Sequence, residues 1–97
     1  MNDKLKTEQV TRLCEAFALL RTDDECYRFL TDLCTESELQ EMSKRLDAAQ
    51  KLREGIIYNE IAALTGLSTA TITRVNRSLR YGNDGYHMVL DRLSAKS

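Results

Sequence analysis

Apolar residues recur along this chain at the three- and four-residue spacing of amphipathic helices. A first helix is predicted over residues 7–20, and the next over the residues after Thr22. One apolar face of each is expected to be buried: Val10, Leu13, Cys14, Phe17 and Leu20 in the first, then Cys26, Phe29, Leu30 and Leu33 in the second. Since no proline interrupts the pattern, the chain is predicted to be nearly all-helical.

Two segments have the composition of capping boxes, Thr22 to Glu25 and Thr35 to Glu38. The second opens the longest predicted helix, which ends near Gly55 and has a near-heptad repeat through Leu39, Met42, Leu46 and Ala49. About 19 residues at 1.5 Å each make a rod of roughly 28 Å. One subunit could hardly cover such a rod on every apolar side, which indicates a dimer.

Glycines punctuate the second half of the chain. Two short helices are predicted over residues 58–65 and 68–80, and a final helix over residues 84–94. The domain prediction is a single helical domain over 1–97, with dimerisation helices in 7–55, a helix-turn-helix in 58–80 and a C-terminal helix in 84–95.

The segment from Tyr58 to Arg77 meets the requirements of a helix-turn-helix. Ala62 allows close approach of the helices, Gly66 accepts a left-handed turn, and Ser68 is a good N-cap. Four apolar residues are placed to fill the angle between the helices: Ile61, Leu67, Ile72 and Val75.

The second of these helices is predicted to bind DNA through one outward face. That face comprises Ser68, Thr69, Ala70, Thr73, Arg74, Arg77 and Arg80. Small and hydroxylated side chains approach base edges closely, and arginines bind guanine edges or phosphates. The bland alternative is an αα-hairpin with a solvated polar face, but such a face usually mixes charges of both signs. Here no acid occurs between Glu60 and Asp84.

The distribution of charge supports this interpretation more than the total does. The net charge is −1, but residues 1–42 hold ten acids and five bases, whereas residues 43–97 hold five acids and nine bases. A local basic strip on an acidic body still attracts phosphate. The total charge keeps one alternative open, a protein-interaction module that retains the helix-turn-helix shape without DNA binding.

Other functional classes find little support in the residues. The odd number of cysteines, Cys14, Cys26 and Cys34, predicts buried, reduced thiols rather than disulfides or a zinc site. The single histidine, His87, has no nucleophile pattern near it and is expected to be superficial or half-buried. Neither an enzyme nor a metal or other cofactor is predicted, and Tyr81 and Tyr86 are interpreted mainly as anchors for the last helix. With no membrane span and no signal peptide, the chain is expected to be cytoplasmic.

From Cys34 to Arg80 the sequence resembles the Trp repressor superfamily, and the whole chain is similar to its YerC/YecD-type branch. The residues that carry the resemblance are Thr35-Glu-Ser-Glu38, Lys44-Arg45, Arg53-Glu-Gly55, Ala70-Thr-Ile-Thr-Arg74 with Ser78-Leu79, and the stretch from Arg80 to Tyr86. The resemblance implies an all-α, Trp-repressor-like bundle of about six helices. It also implies an interlocked homodimer that reads a pseudo-palindromic site in double-stranded DNA, with half-sites about one helical turn apart, ~34 Å. The function expected is that of a sequence-specific transcriptional regulator, and specifically a repressor.

The resemblance also implies a candidate pocket for a small effector, formed by Thr35, Arg45, Arg74 and Ser78. Two departures from the family pattern argue against tryptophan itself. Val75 replaces a glycine and would crowd the ligand, and Asp32 replaces an apolar residue with a carboxylate. Another small effector and a purely structural or phosphate-binding role for the arginines are both left open.

Overall fold

A computed structural model describes residues 3–96 of the chain. Within that range six α-helices follow one short 3-10 helix, Asp3–Leu5, and no strand occurs. The helices are α1 (Glu8–Ala18), α2 (Asp23–Leu33), α3 (Glu36–Arg53), α4 (Tyr58–Thr65), α5 (Thr69–Tyr81) and α6 (Gly85–Lys96). The predicted all-α class is confirmed, and the predicted boundaries hold to within two residues. Positions 1, 2 and 97 of the predicted 1–97 domain lie outside the described residues.

Both predicted capping boxes form, with one difference between them. At α3 the bonds are reciprocal: Glu38 N–H donates to Thr35 Oγ1 at 3.1 Å, and Thr35 N–H donates to Glu38 Oε1 at 2.8 Å. At α2, Thr22 Oγ1 accepts the N–H of Glu25 at 3.1 Å, but the Glu25 carboxylate reaches one residue farther back, to the N–H of Arg21. These bonds satisfy amides that the helix itself leaves free.

Contacts divide the chain into two compact units, one ending at Leu39 and the other beginning at Gln40. In the first unit the rings of Phe17 and Phe29 meet edge to face, with centroids 5.3 Å apart. Neither α1 nor α2 contains a buried residue, however. The prediction of a buried stripe on α1 is therefore wrong for the single chain, because two helices of 11 residues are too short to enclose their apolar faces between themselves.

The cysteines follow the same pattern. All three thiols are free, as predicted. Their predicted burial is wrong, since Cys14 is exposed and Cys26 and Cys34 are only half-buried. They lie on the same incompletely covered helices as the apolar stripe, so their exposure has the same cause.

The second unit contains every buried apolar side chain of the described residues, in two adjoining clusters. One cluster joins Ala48, Ile61, Leu67 and Ile72, and the other joins Ala49, Val75 and Leu90. The four residues predicted to fill the helix-turn-helix are therefore all buried. Because α3 contributes neighbouring alanines to both clusters, it is the element against which the helix-turn-helix and α6 both pack.

Polar contacts also tie α6 to the rest of the second unit. Arg53 Nη2 lies 2.6 Å from Asp91 Oδ1, and Arg53 Nη1 donates to the His87 carbonyl at 3.4 Å. His87 Nε2 lies 2.9 Å from the carbonyl of Leu79 in α5. His87 is half-buried, as expected, and has a structural partner.

Candidate DNA-binding surface

The turn between α4 and α5 depends on a left-handed residue. Gly66 has φ of 77°, a conformation that side chains with a Cβ adopt only at a cost. Its N–H donates to the Ala62 carbonyl at 2.9 Å, which closes the last turn of α4. Ala62 is half-buried against the Ile61 cluster, so both small residues singled out in the sequence occupy the places that the motif requires.

A third residue of this turn, Thr65, was missed in the sequence analysis. Its side chain is buried, donates from Oγ1 to the Ile61 carbonyl at 2.7 Å, and accepts the N–H of Leu67 at 3.2 Å. It therefore satisfies a buried amide just beyond the end of α4. The signal available in the sequence was a hydroxyl residue directly before the turn glycine.

Ser68 caps α5 as predicted. Its Oγ accepts the N–H of Thr71 at 3.1 Å, and its hydroxyl lies 3.0 Å from Thr71 Oγ1. Thr73 donates its hydroxyl to the Thr69 carbonyl at 2.9 Å. The hydroxyls of Ser68 and Thr73 are thus engaged as donors, and what each can offer a ligand is mainly acceptor capacity on the oxygen.

All seven side chains predicted to face DNA are exposed along α5 and its N-cap. Within residues 3–96, none of the three arginines among them, Arg74, Arg77 and Arg80, has an ion-pair or hydrogen-bond partner. Their guanidinium groups project from a helix that contains no acid. The result is one continuous basic surface with its donors free to bind an anion.

A surface concavity of about 470 Å³ runs along this face. Its lining comprises Ala70, Thr73, Arg74, Arg77, Ser78, Tyr81 and Gly82. The interpretation of Tyr81 as an anchor of α6 is wrong, because 81% of its surface is exposed. It is the last residue of α5 and lies on the side away from the core, whereas Tyr86 packs against the Val75 cluster as expected.

The residues of the candidate effector pocket have separate roles in the described chain. Arg74 and Ser78 share the concavity, whereas Arg45 is half-buried and does not line it. Thr35 is engaged in capping α3. Val75 is buried against Ala49 and Leu90, and so packs into the core rather than lining the concavity. An effector pocket formed by all four residues stays a prediction, as does the exclusion of tryptophan.

Two searches of the described residues returned nothing. Among residues 3–96 no group of three or more histidine, cysteine, aspartate or glutamate side chains is arranged to hold a metal ion. In the same part of the chain, no helix combines the length and apolar character that a membrane crossing requires.

Comparison with known proteins agrees with the geometry. Residues 8–94 match the family described as Trp repressor protein. The chain is 50% identical over 91 residues to the protein YerC of Bacillus subtilis (strain 168), covering 94% of this chain and 88% of that protein.

Two solved structures share the fold. A TrpR-like protein from Eubacterium eligens ATCC 27750 superposes with a TM-score of 0.89 at 52% identity, covering 96% of each chain. A protein from Staphylococcus aureus superposes with a TM-score of 0.89 at 44% identity, covering 97% of this chain and 95% of its own. The sequence match and the shared six-helix fold lead to one conclusion: the chain belongs to the Trp repressor family.

Proposed function

We propose that this protein is a sequence-specific DNA-binding transcriptional regulator that reads double-stranded DNA with α5. The observation that carries the proposal is the exposed face of α5, on which three unpaired arginines follow small polar residues without any acid. A solvated helix face has no need for such a segregation of charge, whereas a phosphate-lined groove attracts it.

The order of side chains along α5 suits a helix that enters the major groove by its N-terminal end. Ala70 and Thr73 are small enough to approach base edges, where alanine meets a thymine methyl and a threonine oxygen accepts from a base. Arg74 lies one turn farther on, within reach of a guanine edge or a phosphate. Arg77 and Arg80 follow over roughly 10 Å at 1.5 Å per residue, and are better placed for the phosphate backbone.

A homodimer is part of the proposal. The apolar residues Val10, Leu13 and Phe17 of α1 are each more than a third exposed, and a second copy of the chain would cover them. Two copies related by a two-fold axis present two α5 helices, which suits a pseudo-palindromic site with half-sites about one helical turn apart, ~34 Å.

A second candidate rests on the overall charge of −1 and the sequence pI of about 5.8. In that alternative the helix-turn-helix serves only as a module for binding another protein. It predicts no systematic response to salt from double-stranded DNA, because no phosphates are neutralised.

A titration of duplex DNA of random sequence at several salt concentrations separates the two. Binding to phosphates weakens with salt, with a slope in log–log form of about 0.9 for each phosphate contacted. The double variant Arg74→Ala/Arg77→Ala is expected to lose most of the affinity, whereas Arg92→Ala, which removes an exposed arginine of α6, is the matched control. Absence of salt-dependent binding by the native protein at low ionic strength would reject DNA binding in favour of the interaction module. Retained affinity in the double variant would show that another face is used.

A further inference from the structure

The side chain of Lys44, which belongs to α3, lies over the turn of the helix-turn-helix. A Cβ added to Gly66 would stand 3.9 Å from the Lys44 ammonium, so that ammonium is close to the backbone between α4 and α5. Lys44 is exposed, and among residues 3–96 its ammonium has no hydrogen-bond or ion-pair partner. By contrast Lys51, on the same helix, is held by Asp47 at 2.8 Å.

This position is close to the end of α5 that enters the groove in the proposed function. Gly66 precedes the N-cap, Ser68, by two residues, a separation of at most about 7 Å along the chain. In a docked helix-turn-helix the first helix crosses the DNA backbone while the second places its N-terminal residues against the bases. The turn that joins the helices therefore lies beside the phosphates that flank the groove.

We infer that Lys44 is a phosphate-binding residue, supplied by α3 to the edge of the surface formed by α5. The inference rests on the proposed function and extends it, because it assigns a contact from outside the helix-turn-helix itself. An ammonium is a point charge without the planar fork of arginine, so it binds a phosphate oxygen without reading a base. Lys44 thus contributes affinity and position, whereas sequence preference resides in the first turns of α5.

A purely structural role for Lys44 makes a different prediction. The ammonium lies at the C-terminal end of α4, where a cation interacts favourably with the helix dipole and the last carbonyls. If that were its only role, removing it would lower the stability of the fold and leave the salt dependence of DNA binding unchanged.

The test compares Lys44→Ala, Lys44→Arg and Lys51→Ala with the native protein in titrations of duplex DNA between 50 and 200 mM salt. Loss of one phosphate contact lowers the log–log slope by about 0.9, so Lys44→Ala should lose about 3.5-fold less affinity than the native protein across this range. The reduction should be the same for a selected site and for random DNA, and the bases preferred in a selection should not change. Lys44→Arg should retain the native slope. Lys51→Ala, which removes the same charge from the same helix, should retain it as well.

Thermal melting of each variant, followed by circular dichroism, measures any structural contribution separately. A native slope in Lys44→Ala, while the native protein itself binds with a steep salt dependence, overturns the assignment of Lys44 alone. No salt-dependent binding by the native protein overturns the proposed function and, with it, this inference.

Discussion

The hydroxyl of Thr65 accepts the backbone N–H of Leu67 at 3.2 Å across the turn that joins α4 to α5. The same hydroxyl donates to the Ile61 carbonyl at 2.7 Å, so one buried side chain bonds the end of α4 to the segment leaving it. Leu67 is itself buried between the two helices. The angle at which α5 is presented therefore depends on this threonine as well as on the turn glycine.

Thr65→Val is expected to destabilise the protein by about 1–3 kcal/mol, because it leaves the buried Leu67 amide unsatisfied while keeping the shape of the side chain. Thr65→Ser keeps the hydroxyl and should cost less. Urea unfolding at one fixed protein concentration measures the difference, since association of subunits would also shift the midpoint. Equal stability of the valine and native proteins would show that the Thr65 hydrogen bonds contribute little.

Gly82 and Gly85 form a natural pair for testing backbone space after α5. A Cβ at Gly82 would lie 2.4 Å from the Ser78 carbonyl oxygen, whereas one at Gly85 would meet nothing within 4 Å. Gly82→Ala should therefore cost about 1–3 kcal/mol, as overpacking does. Gly85→Ala should stay within about 0.5 kcal/mol of the native protein. Denaturant midpoints for the two variants provide the comparison, and similar losses in both would contradict it.

The proposed homodimer predicts that charge on the α1 stripe separates the subunits. Leu13→Glu should shift the mass in sedimentation equilibrium from about twice the chain mass to 11.1 kDa, because a carboxylate buried in an apolar interface has no partner. Arg12→Glu introduces the same charge at the neighbouring exposed position and should leave the mass unchanged. A native protein that sediments at the mass of one chain at micromolar concentration would remove the dimer from the proposal.

The capping box of α3 predicts a dependence of stability on pH. The backbone N–H of Thr35, and secondarily its hydroxyl, lower the pKa of the Glu38 carboxyl from its ordinary value of 4.5. A carboxyl with a lowered pKa in the folded state stabilises the protein above 4.5, and this contribution is lost as pH falls through the lowered value.

Melting temperatures of Glu38→Gln and native protein between pH 7 and pH 3 check this. The gap between them should be largest at pH 7 and should narrow below pH 4.5. Glu41→Gln is the control, since Glu41 lies on the same helix and has no hydrogen-bond or ion-pair partner within the described residues 3–96. A gap that does not change with pH would show that the Glu38 charge is irrelevant to the cap.

The helix-turn-helix was the most predictable part of the molecule because its requirements are local. Gly66 and Ser68 act through their own backbone and their immediate neighbours, and the seven exposed residues follow from the helical repeat once α5 is placed. The burial of α1 was not predictable in the same way. Spacing reveals that Leu13 and Phe17 share a face, but it does not say whether the covering surface belongs to the same chain.

Tyr81 was misinterpreted for a related reason. A tyrosine next to glycines in a loop is compatible with docking and with exposure, and only the direction in which α5 ends decides between them. Thr65 was overlooked because a threonine inside a helix has no distinctive pattern until its carbonyl and amide partners are known.

The sequence by itself determined the helical class, the capping residues, the turn at Gly66 and the acid-free face of α5, since these depend on neighbours within a few positions. Tertiary structure alone decided which residues from distant helices meet. It packs Ala48 and Ala49 under the helix-turn-helix, joins Arg53 to Asp91, and brings Lys44 over the turn at Gly66. These contacts link positions more than 20 residues apart, where helical periodicity carries no information about proximity.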